Sequence, residues 1–542
     1  MQSERTQTTA GERITLVILT AVSLALRAVA YFRYRFDSDE PQHLHVAWGW
    51  TAGLVQYRDL FDNHAPLFHM LSAPLLARLG ERPDILLYMR APMLVLFAIV
   101  LMTTYSIARR FYSKRVALWS VVLLSLYPSF FLKSLEYRTD NLWNTIWILA
   151  LLVIMTGPAT LRRMFAVGLI LGIDTCVSLK TPLLVVALGL AVLAMHFALR
   201  EPIAWRAAAA RCAVFAAGFV IMPAAIAAYF AHLHALPNLF YCVFEFNTLI
   251  AQTHRHVVLL RLLYPFMLAL VFWEARRVWA GDPADEKDRG RFFLGLLLAT
   301  FAVTLIGFWV LIGPRDYMPV MPLITIFVSS FLIGHARASW QLLTSFVALA
   351  VVFILAVGYG ASWFLQSTAE DITMMNQVLR LTRPGETLMD LKGETIYRRR
   401  PYYYIFETIT RAAIRDGLLP DRVAESVVAA RCHVAQADGA SFPPRSRMFL
   451  NENFLDLGRL RASGQWIRRD GSFDIAIPGR YVMLDKDGES RGMLDGTPYT
   501  GARELSAGSH RFEPAVPERV ACLWAPAFER GFSPFHLRDR DF

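Results

Sequence analysis

Residues 1–361 alternate between apolar runs close to twenty residues long and short polar connections. That alternation restricts the chain to a polytopic, helical membrane architecture, because irregular backbone is not tolerated against lipid. A helix crosses the bilayer core with about 20 apolar residues, in a range of about 17–25. Eleven spans are predicted, at 13–32, 87–108, 116–132, 142–157, 163–179, 182–199, 212–232, 257–274, 292–312, 318–335 and 342–362. The first is too long, and too poorly followed by small residues, for a cleaved signal peptide. Composition agrees. The chain is 55% hydrophobic and 18% charged, against about 45–50% and about 25% in soluble domains. A disordered chain, a fibrous repeat and an ordinary cytosolic enzyme are thereby excluded.

The net charge of +11 would suit a nucleic-acid partner only if it lay on a soluble face. It does not. Residues 1–361 hold 30 Lys and Arg against 20 Asp and Glu, while residues 362–542 hold 25 against 24. The excess therefore belongs to loops that orient a membrane protein. With the N-terminus inside, the inward loops collect 15 basic residues, among them Arg109, Arg110, Arg162, Arg163, Arg276 and Arg277. The later outward connections hold only Lys133, Arg138, Lys180, Arg255 and Arg315. The expected topology is N-terminus cytoplasmic and, after an odd number of spans, C-terminus outside.

Two outward regions are large. Residues 33–86 form the first outward loop, with interfacial helices expected at His45–Leu54 and Pro66–Leu79. Residues 363–542 read as a soluble extracytoplasmic α/β domain, β-rich at its end. Strands are expected at Thr387–Leu391, Asp474–Ile477, Arg480–Leu484 and Ser509–Phe512, and helices at Ile405–Leu418 and Arg422–Ala430. Cys432 and Cys522 lie in this region, where a disulfide is allowed by the compartment. Cys176, Cys212 and Cys242 read as packing residues.

Polar clusters fall in the outward connections, although the topology was set by the inward loops alone. They are Asp37-Ser-Asp39-Glu40 with His43 and His45, Asp62-Asn-His64, Glu136-Tyr-Arg138-Thr-Asp140, Lys180-Thr-Pro182, Glu245-Phe-Asn247 with His254 and His256, and Arg315-Asp-Tyr317. Fixed cations at headgroup depth suit a lipid phosphate. Carboxylates beside them suit proton abstraction from an acceptor hydroxyl or amine. Plainer roles compete: snorkelling for the cations, a helix cap for Asp39, and a bridge from Asp140 to Arg138 or Lys133. His43, His45, His64 and His69 match no strong metal-ligand spacing. No metal ligand or cofactor is assigned, and a divalent cation is left open. Asp174 lies inside an apolar span, which makes it a site candidate or a partner of neighbouring Ser and Thr groups.

At these residues the membrane region resembles the GT-C superfamily of membrane glycosyltransferases, in the branch of protein O-mannosyltransferases and the lipid A aminoarabinose transferase. The carriers are Asp39-Glu40, Asp62-Asn-His64-Ala-Pro66-Leu67, Arg138-Thr-Asp140, Leu179-Lys180-Thr-Pro-Leu and Arg315-Asp-Tyr317-Met-Pro319-Val-Met-Pro322. Two departures stand out: His64 occupies a position where relatives often carry Lys, and Asp316 is inserted between Arg and Tyr. The resemblance implies a transmembrane catalytic domain over 1–362 of about 11 helices, followed by a periplasmic domain over 363–542. It implies transfer of a sugar, with inversion, from a polyprenyl-phosphate donor to an extracytoplasmic lipid, glycan or protein, in a bacterial inner membrane. Asp39 would be the general base, with Glu40 or Asp62 as runners-up. Lys180 and Arg315 would hold the donor phosphate, with His64 and Arg138 as further candidates. Asp140, Tyr317, Glu245, His254 and His256 are substrate-binding candidates. An oligosaccharide transferase or glycan-extending enzyme is the nearest rival. A lipid-linked sugar flippase is a more distant one, since transporters place ionisable groups at the bilayer midplane and show internal repeats.

Overall fold

The computed structural model describes residues 8–249, 285–309, 312–336, 338–361, 368–437 and 441–536. The first part is a helical bundle: α1 (Ala10–Arg33), α2 (Asp39–Thr51), α3 (Leu67–Leu79), α4 (Ile85–Phe111), α5 (Lys114–Leu126), α6 (Pro128–Lys133), α7 (Thr139–Met155), α8 (Leu161–Thr175), α9 (Thr181–Leu199), α10 (Trp205–His232), α11 (Leu236–Phe240), α12 (Glu286–Phe308), α13 (Met321–His335) and α14 (Ser339–Ala361). Local chemistry sets the ends. Thr9, Ser113, Thr160 and Asp285 accept backbone N–H groups at the starts of α1, α5, α8 and α12. Pro128 breaks the apolar run expected over 116–132 into α5 and α6.

Five of the described helices are long and apolar enough to cross a membrane: α1, α4, α9, α10 and α14, the last over Ser339–Tyr359. Helices α3, α7 and α13 are apolar but shorter. The expected span at 257–274 lies outside the described residues. Large apolar side chains such as Val17, Leu24, Leu355 and Tyr359 point outward, as lipid contact requires. Inside, Trp143 and Trp147 are fully buried, and Trp119 stacks on Phe346 with ring centroids 3.9 Å apart.

Helices α8 and α10 approach most closely through glycine. Gly168 and Gly172, four residues apart, present bare backbone to Phe215 and Phe219, and Gly218 does the same for Phe165. A β-carbon on Gly172 would stand 2.2 Å from the Phe219 carbonyl oxygen. Gly172→Ala should therefore cost about 1–3 kcal/mol and lower the melting temperature in detergent. Gly189→Ala, where nothing lies within 4 Å, should leave it unchanged.

The C-terminal part is β-rich. Helices α15 (Ala369–Leu381), α16 (Thr408–Arg415), α17 (Val423–Ala429), α18 (Pro444–Asn453) and α19 (Ala525–Glu529) flank two antiparallel sheets. The larger has β1 (Val434–Gln436), β3 (Leu460–Trp466), β11 (Ala521–Trp524), β5 (Gly479–Asp485) and β6 (Gly488–Glu489) in that order, with β2 (Phe454–Asp456) beside β3 and β9 (Arg503–Leu505) beside β5. The smaller runs β4 (Ser472–Ile475), β10 (Gly508–Pro514), β7 (Gly492–Leu494) and β8 (Thr497–Tyr499).

One expectation is corrected here, and one pairing left open by the sequence is decided. Thr387–Leu391 makes only isolated bridges, Thr387 to Arg399 and Met389 to Ala435, because turns at Pro384-Gly385 and Asp390–Gly393 leave no room for a ladder. Cys432 and Cys522 are both free and buried. Cys432 precedes β1, Cys522 lies in β11, and β3 runs between those strands. At about 4.8 Å per strand the cysteines fall beyond disulfide reach of about 7 Å.

Candidate active site

The chain leaves α1 at Arg33 and re-enters helix at Asp39, and the turn between them is clamped from beneath. The Arg90 guanidinium, fully buried in α4, donates to the Tyr34 and Arg35 carbonyls at 2.9 Å each and to both Glu40 oxygens. Glu40 also accepts the Asp37 and Tyr137 backbone N–H groups, each at 2.8 Å. Glu40 is thus saturated and sealed. Its neighbour Asp39, a residue earlier on the helix, faces elsewhere.

What Asp39 faces is a dense ionic layer. Arg138, at the start of α7, reaches Asp39, Asp37 at 3.0 Å and Asp140 at 3.2 Å. Arg315, in the 3-10 turn Pro314–Tyr317, reaches Asp37 at 2.6 Å, Glu136 at 3.2 Å and Asp39 at 3.8 Å. Lys180, at the start of α9, bridges Asp140 at 2.9 Å and Asp316 at 2.7 Å. Lys133 pairs with Glu136 at 2.6 Å. The layer is not uniformly sealed. The Glu136, Asp140 and Arg138 side chains are 0%, 6% and 8% exposed, whereas Lys180, Arg315 and Asp39 keep 20%, 25% and 26%. Those three are therefore the members of the layer most open to a ligand.

Residues from the C-terminal part complete the layer. The Lys392 ammonium contacts Asp39 directly. Its loop is rigid: the Asp390 carboxylate accepts the Gly393 N–H at 2.8 Å, the Thr395 N–H at 2.9 Å and the Thr395 hydroxyl at 2.7 Å, and holds Arg400 at 2.7 Å. Gly393 has φ +93°, and a β-carbon there would lie 2.8 Å from His45 Cβ, so only glycine lets the loop seat on α2. His45 Nδ1 in turn meets the Ile396 carbonyl at 2.7 Å. Burial would raise the Asp39 carboxyl, but Arg138 and Lys392 override it and hold it well below the usual range.

The stretch between α2 and α3 forms a separate cluster. Asp62 is fully buried, bonded to Gln56 at 2.6 Å, His64 at 2.8 Å and His69 at 3.4 Å. His69 meets His43 at 3.0 Å. Burial lowers His69 to about 4, while Asp62 outweighs burial at His64 and raises it. Asn63 donates to Glu407 at 3.0 Å, and burial lifts Glu407 to about 7. Among the described residues no group of three or more His, Cys, Asp or Glu side chains is arranged to hold a metal ion. The carboxylates of the layer turn instead to guanidinium and ammonium groups.

Beside this layer a cavity of about 440 Å³ opens between the first loop and the C-terminal part, lined by Asp37, Ser38, Pro41, Asp371, Glu394 and Gln436 among others. Burial lifts Asp371 to about 6 and Glu394 to about 7.

No protein-family model matches the chain, and no curated protein matches its sequence. Solved structures do. ArnT from Cupriavidus metallidurans in the apo state aligns over 84% of this chain and 98% of its own, with TM-score 0.56 and 14% identity. The same ArnT bound to undecaprenyl phosphate aligns equally, with TM-score 0.56 and 15% identity. The chain shares the fold of ArnT. A weaker likeness, on which the assignment does not rest, is to the oligosaccharyltransferase AglB from Archaeoglobus fulgidus in complex with an inhibitory peptide and a dolichol-phosphate. It has TM-score 0.43 and 10% identity, over 94% of this chain and 77% of that one.

Within this fold the candidates separate. Asp39, Arg138, Asp140, Lys180 and Arg315 converge in one layer. Tyr317 is buried one turn from Arg315. Glu40 lies beneath the layer on Arg90, and Asp62 with His64 sits in the histidine cluster. Glu245 is exposed in a π-turn, Tyr241–Glu245, apart from the layer. His254 and His256 lie outside the described residues. Asp174 accepts the Thr181 hydroxyl at 3.0 Å, the plainer of its two readings. Asp39 is the first residue of α2, with no side-chain cap bond made there. Sequence reasoning missed Lys392, Glu407 and Arg90. Arg90 left a signal, as a charge near the start of a predicted span; the other two left none.

Proposed function

We propose that this chain transfers a sugar from a polyprenyl-phosphate donor to an extracytoplasmic acceptor, with inversion at the anomeric carbon. The observation that carries the reading is the ionic layer: one partly open carboxylate, Asp39, among cations that are themselves partly open. Likeness to the ArnT fold, including the form bound to undecaprenyl phosphate, supports the donor class.

The charge balance suggests how the site would work. Lys133, Arg138, Lys180, Arg315 and Lys392 face Asp37, Asp39, Glu136, Asp140 and Asp316, so the layer is neutral as it stands. A docking phosphate draws on Arg315 and Lys180 and leaves the layer net negative. The carboxylate best placed to relieve that is Asp39, by accepting a proton. The acceptor O–H or N–H would lose its proton to Asp39 as its heteroatom bonds to the anomeric carbon. The bond from that carbon to the phosphate oxygen breaks, and polyprenyl phosphate leaves with its charge held by Arg315 and Lys180. We place the layer on the periplasmic side of a bacterial inner membrane, with about eleven spans, the N-terminus in the cytoplasm and the C-terminal part outside.

The test is donor turnover. Purified protein is incubated with undecaprenyl-phosphate monosaccharides, lipid-linked oligosaccharides and an envelope-glycan fraction, and free undecaprenyl phosphate is followed by mass spectrometry. Release with one donor supports the reading and names the sugar. Glycan movement across a proteoliposome membrane without release would make the chain a flippase. Arg315→Gln removes charged hydrogen bonds worth about 1.5–3 kcal/mol, so KM for the lipid donor should rise roughly 10- to 150-fold.

A further inference from the structure

Asp39 is held by two cations that differ in kind. Arg138 is locked: its guanidinium also pairs with Asp37 and Asp140, and its side chain is 8% exposed. Lys392 has one carboxylate partner among the described residues, Asp39, at the end of a flexible four-carbon chain. Its backbone is immobilised by Asp390 and by the fit of Gly393 against His45, so only the side chain is free to move. Each cation takes a different Asp39 oxygen. With a cation on each oxygen, the part of Asp39 that stays exposed meets an acceptor only in competition with Arg138 and Lys392.

We propose that Lys392 is a positioning residue, a detachable counter-cation that occupies Asp39 until the acceptor arrives and then vacates it. The inference rests on the function proposed above. It makes the C-terminal part a component of the active site that decides when the base is free. The ammonium has somewhere to go. Glu394 accepts the Lys392 backbone N–H at 2.9 Å and lines the cavity beside the first loop. Glu407, held by Asn63, also feels the Lys392 charge. An acceptor entering by that cavity meets Glu394 before Asp39, and its polar groups compete for the ammonium. Arg138 stays behind, keeping Asp39 oriented.

The electrostatic surroundings define the measurement. Asp39 is influenced from its own segment by Asp37 and by His43 one turn on, from α7 by Arg138, from the 3-10 turn by Arg315, and from the C-terminal part by Lys392 and Glu407. Behind these stand Glu40, Glu136, Asp140, His64 and Glu394. Of all these, Lys392→Met deletes one charge that touches Asp39.

The experiment is the pH profile of polyprenyl-phosphate release at saturating donor, with acceptor varied, for wild type, Lys392→Met and Lys392→Arg. The acid limb of kcat/KM reports Asp39 before the acceptor binds, and that of kcat reports it afterwards. A detachable lysine predicts a split. In Lys392→Met the kcat/KM limb moves to higher pH by about one unit or more, because an opposite charge has been removed. The kcat limb stays where it is in wild type. Lys392→Arg keeps both limbs in place but lowers kcat, since a guanidinium fork leaves a carboxylate less readily. Both limbs moving together would mean the lysine never leaves, and neither moving would mean it does not act on Asp39; either result overturns the proposal. A folded Lys392→Met with no activity at any pH overturns it too.

Should Lys392→Met not fold, Lys392→Arg decides alone, and an unchanged kcat sinks the idea. Failure of the function reading is separable, because wild type would then release no polyprenyl phosphate. In that event the contact is read without turnover, by acylation of Lys392 with an amine-reactive ester. Faster labelling in Asp39→Asn than in wild type supports a lysine held by that carboxylate alone, and equal labelling overturns it.

Discussion

Asp39→Asn should fold normally and release polyprenyl phosphate about 10²- to 10⁴-fold more slowly than wild type, the range that loss of a general base spans. The fold survives because the cations that Asp39 engages keep other anchors. Arg138 retains Asp37 and Asp140, and Arg315 retains Asp37 and Glu136. Asparagine preserves the size of the side chain and an acceptor oxygen, so the helix start that it forms is undisturbed. What it cannot do is take a proton. The loss should therefore appear in kcat, while donor KM, set by Arg315 and Lys180, changes little. Release that persists at the wild-type rate would remove Asp39 from the chemistry and leave the donor site standing. Measured across pH, wild-type kcat/KM with Asp39 as base should hold to unusually low values. In the free enzyme Arg138 and Lys392 keep this carboxyl ionised well below the ordinary range, and activity is lost only as pH falls through that depressed value.

The elements that were legible in the sequence were those whose cause is local. Apolar runs located the helices, since an apolar stretch of that length has few other places to go. The same reading placed Arg138, Lys180 and Arg315 at the ends of spans on one side; Arg138 and Arg315 do meet Asp39, and Lys180 joins them through Asp140. The strands at Asp474, Arg480 and Ser509 were visible from Gly turns and alternation. What escaped was long-range pairing. Lys392 is 353 residues from Asp39, and nothing near it distinguishes it from any other loop lysine. Glu407 finds Asn63 across a separation of 344. The Cys432–Cys522 pairing stayed open in the sequence for the same reason: compartment permits a bond, but strand order decides distance, and strand order is not local. Asp62 was a runner-up base by its position in the resemblance. Three partners, Gln56, His64 and His69, bury it instead.

Under the proposed function Glu40 supports the site and Asp39 is the base, and replacement of Glu40 should be the most destabilising single change in the site. Its partner Arg90 is completely buried, so Glu40→Gln leaves a guanidinium without a counter-charge in a sealed place. Breaking such a pair costs about 3–5 kcal/mol. The glutamine also turns an N–H₂ group toward donors, since Arg90, the Asp37 N–H and the Tyr137 N–H all give hydrogen bonds to this one carboxylate. The melting temperature in detergent should drop sharply. The turn over Tyr34–Ser38 should loosen, because Arg90 fixes its carbonyls. Activity should fall with it, as Asp39 begins the helix that this turn feeds. The double variant Glu40→Gln/Arg90→Met distinguishes support from catalysis. Removing the stranded charge should recover part of the lost stability, and some activity should return with the restored loop. A general base would not be rescued by a methionine on the helix behind it. Glu40→Gln protein with wild-type stability and no activity would reverse the assignment, making Glu40 the base and Asp39 its neighbour.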